Sequence, residues 1–266
     1  MPGIVAYYRV STQRQGRSGL GLEAQRKAVR ALAYYDHLTL YAVAENQLAQ
    51  LGSPKLAILP SPQALTETAW RLLLKYADDG GNLLITGPVD RDEHWQVIPR
   101  AVELKLDAEV EPLMFHEATL TEGGRATSLS FDQQKQNLVD SLRFNDGSTL
   151  KELPYGKGRI FWAAYPVELA EGEQAAASLY SYVAGRTGIA PMYEAQPTLS
   201  QGVLIFPTVL QDSVLYVITS ESATDTKVDL HDKLTGVRVS VPLAGQHAAL
   251  VLIGKQPKSV IAKYGF

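Results

Sequence analysis

The sequence predicts an α/β domain built on a parallel sheet, followed by a small all-β domain. In the first part of the chain, short apolar runs alternate with segments whose apolar residues recur at helical spacing. This alternation is typical of a parallel sheet with helices on both faces. After about residue 197, strand-like segments follow one another at short, regular intervals, which is typical of a β-sandwich. A composition of 45% hydrophobic and 20% charged residues suits such globular domains.

The predicted strands of the parallel sheet are 3–9, 38–44, 55–59 and 82–86. Helices are predicted over 22–35 and around 65–76, the second with Thr66 or Ser61 as its N-cap. The glycines of segment 78–81 are suited to end this second helix, because glycine adopts the left-handed cap conformation without strain.

Residues 102–159 show short mixed strands with turn signals at 122–124 and 145–147. A buried strand at 159–164 and a helix at 173–185 then close the first domain. Residues 191–197 are interpreted as a linker, which sets the domains at 1–192 and 197–266. The predicted strands of the second domain are 203–206, 214–219, 227–230, 237–241 and 248–253.

Composition excludes several classes of protein. The chain has no cysteine, so disulfides, a thiolate nucleophile and cysteine-ligated metals are excluded. No run approaches the ~18 apolar residues of a membrane span, and the N-terminus lacks the pattern of a signal peptide. We therefore expect a cytoplasmic protein without a membrane partner, a cofactor or a metal.

The charge is unevenly distributed along the chain. Residues 1–30 hold six basic side chains and one acid, whereas the remainder holds 19 basic and 27 acidic residues. Such asymmetry indicates either a basic arm or two segments of different origin. The net charge of −3 gives no general case for binding nucleic acid.

The basic segment carries a specific pattern: Ala6-Tyr-Tyr-Arg-Val-Ser-Thr12, then Gln15, then Ser18-Gly-Leu-Gly-Leu-Glu-Ala-Gln25. Over about the first thirty residues it resembles the start of a serine recombinase of the resolvase/invertase type. The resemblance implies that Ser11 attacks a DNA phosphate while Arg9 stabilises the charge, which suits phosphoryl transfer. The residues by themselves also fit a helix cap at Ser11 and a surface ion pair at Arg9.

The rest of the recombinase pattern is missing. The nearest equivalent of its later arginine motif is Val89-Asp-Arg-Asp-Glu93, which has one arginine among acids that repel DNA. No long dimerisation helix and no DNA-binding tail are recognisable in the sequence. We therefore interpret Ser11 and Arg9 as vestigial and do not expect DNA as a partner.

From about residue 33 the chain resembles a different family. Four patterns carry the resemblance: Tyr41-Ala-Val-Ala-Glu45, Lys55-Leu-Ala-Ile-Leu-Pro-Ser61, Asp79-Gly-Gly-Asn-Leu-Leu-Ile-Thr86 and Pro154-Tyr-Gly-Lys-Gly-Arg-Ile-Phe-Trp162. They are similar to the class I glutamine-amidotransferase-like trimerisation domain of family 42 β-galactosidases, and Val228-Asp-Leu-His-Asp-Lys-Leu-Thr-Gly236 is similar to the β domain that follows it. The resemblance implies a flavodoxin-like three-layer sandwich with a parallel sheet, then a small β-sandwich, both non-catalytic.

The catalytic (β/α)8 barrel of that family needs ~250 residues of its own, and no such segment is recognisable. We therefore interpret the chain as a non-catalytic accessory and assembly portion of a glycoside-hydrolase-like protein, chimeric at residues 31–34 and without enzymatic activity by itself. A homo-oligomer and a carbohydrate are the partners considered. The alternatives are a serine recombinase remnant acting on DNA and a carbohydrate-binding module.

Several polar residues after the fourth strand have two interpretations. Asp90, Asp92, Glu93 and His94 lie where α/β sheets place ligand sites, and carboxylates beside a histidine suit metal binding or acid–base chemistry. Charged loops of this composition are also common on protein surfaces.

The remaining candidates favour structural roles. Glu168 and Glu171 are interpreted as a solvated helix start, and Gly156-Lys-Gly158 as a turn. Tyr155, Phe161 and Trp162 fit a sugar-stacking surface or, more commonly, a buried strand. The histidines at 37, 116, 231 and 247 show no metal-ligand spacing.

Overall fold

The computed structural model describes residues 4–8, 24, 27–28, 40–113, 117–133, 139–196 and 202–265. The described residues divide into two compact units, the first extending to Ile189 and the second beginning at Ala190. In the described part of the chain, no helix is long and apolar enough to cross a membrane.

The first unit contains ten described strands and three described helices. The strands are β1 (Ile4–Tyr8), β2 (Leu40–Ala44), β3 (Leu56–Leu59), β4 (Asn82–Thr86), β5 (Ala108–Pro112), β6 (Glu117–Glu122), β7 (Arg125–Ser130), β8 (Asp140–Phe144), β9 (Leu150–Tyr155) and β10 (Gly158–Ala163). The helices are α1 (Glu67–Asp78), α2 (Arg100–Glu103) and α3 (Gln174–Arg186), with 3₁₀ turns at Glu45–Gln50 and Val167–Leu169.

Six strands form the main sheet in the order β2-β1-β3-β4-β10-β9. Strands β2, β1, β3, β4 and β10 pair in parallel, and β9 joins β10 as an antiparallel hairpin at one edge. The four strands that the sequence predicts before residue 90 are therefore all present. Residues 156–158 form the turn of the β9–β10 hairpin, which confirms the interpretation of that glycine pair.

Helix α1 shows how local sequence sets the start of an element. The hydroxyl Oγ1 of Thr66 accepts a hydrogen bond of 3.1 Å from the backbone N–H of Ala69. Thr66 is therefore the N-cap, and Ser61, the alternative, has another role. Of the predicted helix 22–35, the structure describes Ala24, Lys27 and Ala28, which are helical, and both alanines are buried.

Both faces of the main sheet are buried. On one face, α1 packs its Trp70 against Trp162 of β10, with the ring centroids 6.2 Å apart. Successive side chains of a strand point to opposite faces, and the alternate residues Ile58, Leu84 and Phe161 are also fully buried. Burial on both sides explains why these strands appear as continuous apolar runs in the sequence.

Between β4 and β9 the chain forms two small antiparallel sheets. Strand β5 pairs with β8, and β6 pairs with β7. Gly123 and Gly124, both with positive φ, turn the chain between β6 and β7, as the sequence predicts. The second predicted turn, which contains Gly147, connects β8 to β9, two strands that belong to different sheets.

The second unit consists of two antiparallel sheets that share an apolar core. Its strands are β11 (Tyr193–Gln196), β12 (Val203–Val209), β13 (Ser213–Ser220), β14 (Thr226–Asp232), β15 (Arg238–Leu243), β16 (Ala248–Lys255) and β17 (Lys258–Tyr264). One sheet has the order β11-β14-β15 and the other β12-β13-β16-β17. Inward-facing residues of both sheets, such as Tyr193 and Tyr216, form the core.

Two predictions for this unit are wrong. Residues 191–197 are not a simple linker, because Tyr193–Gln196 forms strand β11, which pairs with β14 and buries Tyr193 and Ala195. Strand β17 is absent from the prediction. It is an edge strand with mostly exposed side chains, so it lacks the alternating apolar pattern by which a strand is recognised.

Deletion of residues 1–34 tests the position of β1. The deletion removes an interior strand, which leaves β2 without a neighbour and one edge of β3 unpaired. Unpaired apolar edges promote aggregation, so we expect the truncated chain to sediment in the insoluble fraction while the full chain stays in the supernatant. Unchanged solubility and melting temperature of the truncated chain would contradict the interior position of β1.

Candidate functional site

The two residues implied by the recombinase resemblance, Ser11 and Arg9, lie outside the described residues, as do His37 and His116. Their roles stay predictions. The described candidates all lie in or beside the main sheet or in the second unit, where their contacts are defined.

The polar residues after β4 do not converge on one site. Asp92 Oδ1 accepts hydrogen bonds of 2.8 Å from the backbone N–H groups of His94 and Gln96, so this carboxylate shapes the loop. The His94 side chain is 75% exposed, and its Nε2 atom lies 4.0 Å from Glu93. Asp90 alone of the four acid and histidine residues is buried. Within the described ranges, no three histidine or acidic residues are grouped closely enough to hold a metal.

The carboxyl edge of the main sheet instead contains a buried polar cluster that the sequence does not reveal. Glu168, in the 3₁₀ turn after β10, is fully buried. Its Oε2 atom accepts hydrogen bonds of 2.6 Å from Ser61 Oγ and from Thr86 Oγ1, and its Oε1 atom accepts one from the Tyr180 hydroxyl. We call Ser61, Thr86, Glu168 and Tyr180 the Glu168 cluster.

The prediction that Glu168 begins a solvated helix is therefore wrong. Three hydroxyl groups take the place of water around its carboxylate. They belong to Ser61, which follows β3 and Pro60, to Thr86 at the end of β4, and to Tyr180 in α3. A buried carboxylate is tolerated where hydrogen-bond donors surround it. The sequence signal was weak, because each partner is distant in the chain.

Ser61 adopts a strained backbone conformation within this cluster. Its φ is +43°, which is uncommon for a residue with a Cβ atom. Its backbone N–H donates to Thr86 Oγ1 at 2.8 Å, while its side chain donates to Glu168. Such strain persists where the surrounding structure holds it, and it often occurs at functional sites. The one local signal was that Ser61 lies between Pro60 and Pro62, directly after a buried strand.

The chemistry of the cluster is limited by its burial. Desolvation raises the pKa of Glu168, and the hydrogen bonds from Ser61, Thr86 and Tyr180 oppose that rise. A serine in contact with a carboxylate resembles a nucleophile with its base, but Ser61 is only 5% exposed and Glu168 is fully buried. Both side chains are enclosed, and their hydrogen bonds join four segments of the fold.

The aromatic residues near β10 do not form a sugar-stacking surface. Phe161 is fully buried and Trp162 nearly so, and the indole Nε1 atom of Trp162 donates to the carbonyl of Gly87 at 2.9 Å. Their role as core residues, which the sequence favours, is confirmed. In the second unit, His231 contacts Glu194 at 3.4 Å and His247 contacts the carbonyl of Gly245 at 2.7 Å, which are ordinary surface contacts.

Of three comparisons with known proteins, only the one with solved structures found matches, and these show the fold. No protein-family model matches the chain, and no curated protein matches it. Solved β-galactosidases do match. The GH42 enzyme Gan42B from G. stearothermophilus has a TM-score of 0.69 and 14% identity, covering 95% of this chain and 40% of that one. The enzyme from Bacillus circulans sp. alkalophilus has a TM-score of 0.69 and 12% identity, covering 94% and 41%.

A third structure, the β-galactosidase from Rahnella sp. R3, has a TM-score of 0.67 and 13% identity and covers 96% of this chain and 41% of that one. The chain therefore has the fold of a portion of a GH42 β-galactosidase. It spans about two fifths of the length of these enzymes. The structural likeness establishes the fold. At sequence identities this low it does not establish the activity, which has to be argued separately.

Substitution of Ser61 tests the cluster. Ser61→Ala removes the hydrogen bond to Glu168 and keeps the strained backbone, so we expect a loss of about 1–3 kcal/mol in the free energy of unfolding. Ser61→Gly also loses the bond but relieves the strain of positive φ, so the loss is about 1 kcal/mol smaller. Urea denaturation followed by circular dichroism measures both. The exposed Ser53→Ala is the control, and equal losses for all three variants would contradict the role of Ser61.

A second prediction concerns pH. Burial raises the folded-state pKa of Glu168 above its usual 4.5, so the folded protein holds this proton more tightly than the unfolded chain does. Its contribution to stability is fully present below the unfolded pKa and is lost as the pH rises through the raised folded pKa. Glu168→Gln is neutral at every pH and lacks this dependence.

We therefore expect the advantage in unfolding free energy of the wild type over Glu168→Gln to shrink as the pH is raised from about 4 to about 7. Urea titrations at a series of pH values measure this difference. Glu171→Gln, at an exposed position three residues away, provides a matched control. A difference between wild type and Glu168→Gln that stays constant with pH would show that the proton affinity of Glu168 is unaltered by folding.

Proposed function

We propose that this chain acts as the non-catalytic accessory and assembly portion of a GH42 β-galactosidase-like protein. One observation carries the proposal: the fold likeness extends over 94–96% of this chain but over only 40–41% of the solved enzymes. The finer architecture proposed is a flavodoxin-like, class I glutamine-amidotransferase-like domain followed by a β-sandwich. The strand order β2-β1-β3-β4-β10, with all pairs parallel, supports the first part of this architecture.

The positions of the buried acids support a non-catalytic role. Glycoside hydrolysis uses two carboxyl groups that face each other across the sugar, about 5–9.5 Å apart. Glu168 is enclosed by the hydroxyls of its cluster, and Glu122 is buried with Ser178 Oγ donating to it at 2.7 Å. The absence of cysteine also excludes the thiolate of a working amidotransferase.

An exposed apolar row on the second unit supports the assembly role, with a second copy of the chain as the proposed partner. Phe206 of β12 lies opposite Val217, Val217 opposite Leu250, and Leu250 opposite Tyr264 of β17, so these four residues cross the whole sheet. Phe206, Leu250 and Tyr264 are exposed. Contiguous exposed apolar surface is a mark of protein–protein interaction sites.

The two alternative functions gain no support. Ser11 and Arg9, the site residues of a recombinase remnant, lie outside the described residues, and the solved structures described above are β-galactosidases. A carbohydrate-binding module rests on three aromatic residues, of which Phe161 and Trp162 are buried and Tyr155 is partly buried against the same core. A carbohydrate partner therefore stays a proposal without a specific site.

The purified chain tests both parts of the proposal. We expect no hydrolysis of nitrophenyl β-galactoside above the buffer rate, because no segment that could form the catalytic (β/α)8 barrel, which holds the two carboxyl groups across the sugar, is recognisable in the sequence. We also expect the molar mass from light scattering to exceed that of one chain, 29.0 kDa. Leu250→Lys, which puts a charge in the apolar row, lowers the molar mass, whereas Ser240→Lys on the other sheet leaves it unchanged.

Hydrolysis that copurifies with the chain through successive columns would contradict the non-catalytic part of the proposal. A strictly monomeric wild type at concentrations up to about 100 μM would contradict the assembly part, because stable homomeric interfaces form well below that concentration.

A further inference from the structure

A second feature of the first unit lies beside the Glu168 cluster, where the chain leaves β4. Asp90 follows the end of this strand by four residues, at the edge of the sheet where α/β proteins commonly bind ligands. A cavity of about 220 Å³ opens beside it. We call it the Asp90 cavity; its lining includes Asp90, Val97, Pro99, Val102, Val110 and Leu142.

The carboxylate of Asp90 lacks a side-chain partner. Asp90 is only 8% exposed. Within the described residues its carboxylate accepts a hydrogen bond from its own backbone N–H but forms no ion pair and accepts no hydrogen bond from another side chain. The neighbouring Arg91 is directed elsewhere, since its Nη2 atom lies 3.4 Å from Asp140 and its guanidinium lies 5.7 Å from the Trp95 ring centroid. Buried carboxylates in proteins are normally paired or hydrogen-bonded, so Asp90 has the capacity for an incoming donor.

Arg100, the other charged residue of the lining, directs its guanidinium inward. Its Nη1 atom donates to the carbonyls of Val89 at 2.9 Å and Arg91 at 3.0 Å, and its Nη2 atom donates to the carbonyl of Leu65 at 2.6 Å. The guanidinium carbon lies 5.5 Å from the centroid of the Trp70 ring. Val89 lines the cavity together with Arg100, whereas Leu65 and Trp70 do not, so the guanidinium lies at the cavity wall with its Nη1 and Nη2 atoms donating to backbone carbonyls.

Desolvation raises the pKa of Asp90, and the positive charges of Arg91 and Arg100 oppose the rise without cancelling it. The charge of Asp140 adds to the rise. Burial of the Asp90 charge therefore still has a cost in free energy. A cation placed directly against this carboxylate offsets that cost, so it binds with a more favourable free energy than a neutral group does.

The mouth of the cavity is aliphatic. Val97, Val102 and Val110 are 66%, 60% and 39% exposed, and Pro99 and Ala101 lie between them in the lining. A sugar needs hydrogen-bond partners around its ring, and these aliphatic side chains provide none. An alkyl chain, in contrast, packs against them. The volume is below the ~300–1,000 Å³ of pockets for drug-sized ligands, so the cavity suits a ligand of about the size of one amino-acid side chain.

We propose that the Asp90 cavity binds the ammonium or guanidinium group of a short aliphatic cation. The carboxylate of Asp90 is the counter-ion, and the side chains of Val97, Val102 and Val110 pack against the alkyl chain. The same chemistry occurs in a free alkylamine and in a lysine or arginine side chain of a polypeptide.

An NMR titration with n-butylammonium chloride tests the proposal in the full chain, with valine methyl groups labelled. We expect saturable shifts at Val97, Val102 and Val110, with a dissociation constant in the millimolar range for so small a ligand. n-Butanol has the same alkyl chain without the charge and binds about tenfold more weakly or less. Asp90→Asn weakens butylammonium binding about tenfold or more, and Glu93→Gln, a matched change in the same loop, leaves it unaltered.

Val102→Lys provides a second variant that does not alter the buried acid. Val102 is exposed, so the fold tolerates the substitution. The new lysine ammonium repels the ligand cation and competes with it for the Asp90 carboxylate, so we again expect about tenfold weaker binding. The capped peptide acetyl-Gly-Lys-Gly-amide separates the two sources of ligand. Tighter binding of this peptide than of butylammonium indicates a polypeptide side chain, and the reverse order indicates a free amine.

Three results would overturn the proposal. The first is the absence of saturable shifts with butylammonium and with the peptide at concentrations up to about 100 mM. The second is equal binding of butylammonium and butanol. The third is butylammonium binding that survives both Asp90→Asn and Val102→Lys unchanged.

Discussion

The hydrogen bonds to one buried carboxylate hold together the carboxyl edge of the main sheet. Glu168 receives hydroxyl groups from Ser61, Thr86 and Tyr180, and these residues belong to segments that are between 12 and 107 positions away in the chain. A carboxylate at this depth is costly unless donors surround it. The requirement for three simultaneous donors therefore fixes the ends of β3 and β4, the turn after β10 and the helix α3 relative to one another.

This arrangement has a direct consequence for function. In α/β proteins the carboxyl ends of the strands are the usual place for ligands and catalytic groups. Here the polar atoms nearest the centre of that edge satisfy one another, and the strained Ser61 directs its hydroxyl inward. Asp90, which accepts no hydrogen bond from another side chain within the described residues, lies beyond the end of β4 beside a mostly aliphatic cavity.

Local patterns predicted the elements whose determinants are close in sequence. The apolar runs identified β3 and β4 because both faces of those strands are buried. The start of α1 was narrowed to Thr66 or Ser61, and the hydrogen bond from the backbone N–H of Ala69 to Thr66 decides for Thr66. The same reasoning failed for β11 and β17. Strand β11 has only Tyr193 and Ala195 to bury and lies among prolines, and β17 exposes most of its side chains at a sheet edge. The alternation of β11 is only four residues long, which is too short to stand out from its surroundings, and β17 is defined by pairing with a neighbour rather than by burial.

The sequence by itself determined the alternation of strands and helices, the change to closely spaced strands in the last third, and the exclusion of thiol chemistry by the absence of cysteine. Only the tertiary structure decided which acids are enclosed and which are available. Glu168 and Asp92 are both acids in polar surroundings when the chain is read in order, yet one is fully buried and the other caps a surface loop. The physical reason is that the environment of a carboxylate depends on donors supplied by distant segments, and their distances in space are set by the packing of the whole sheet.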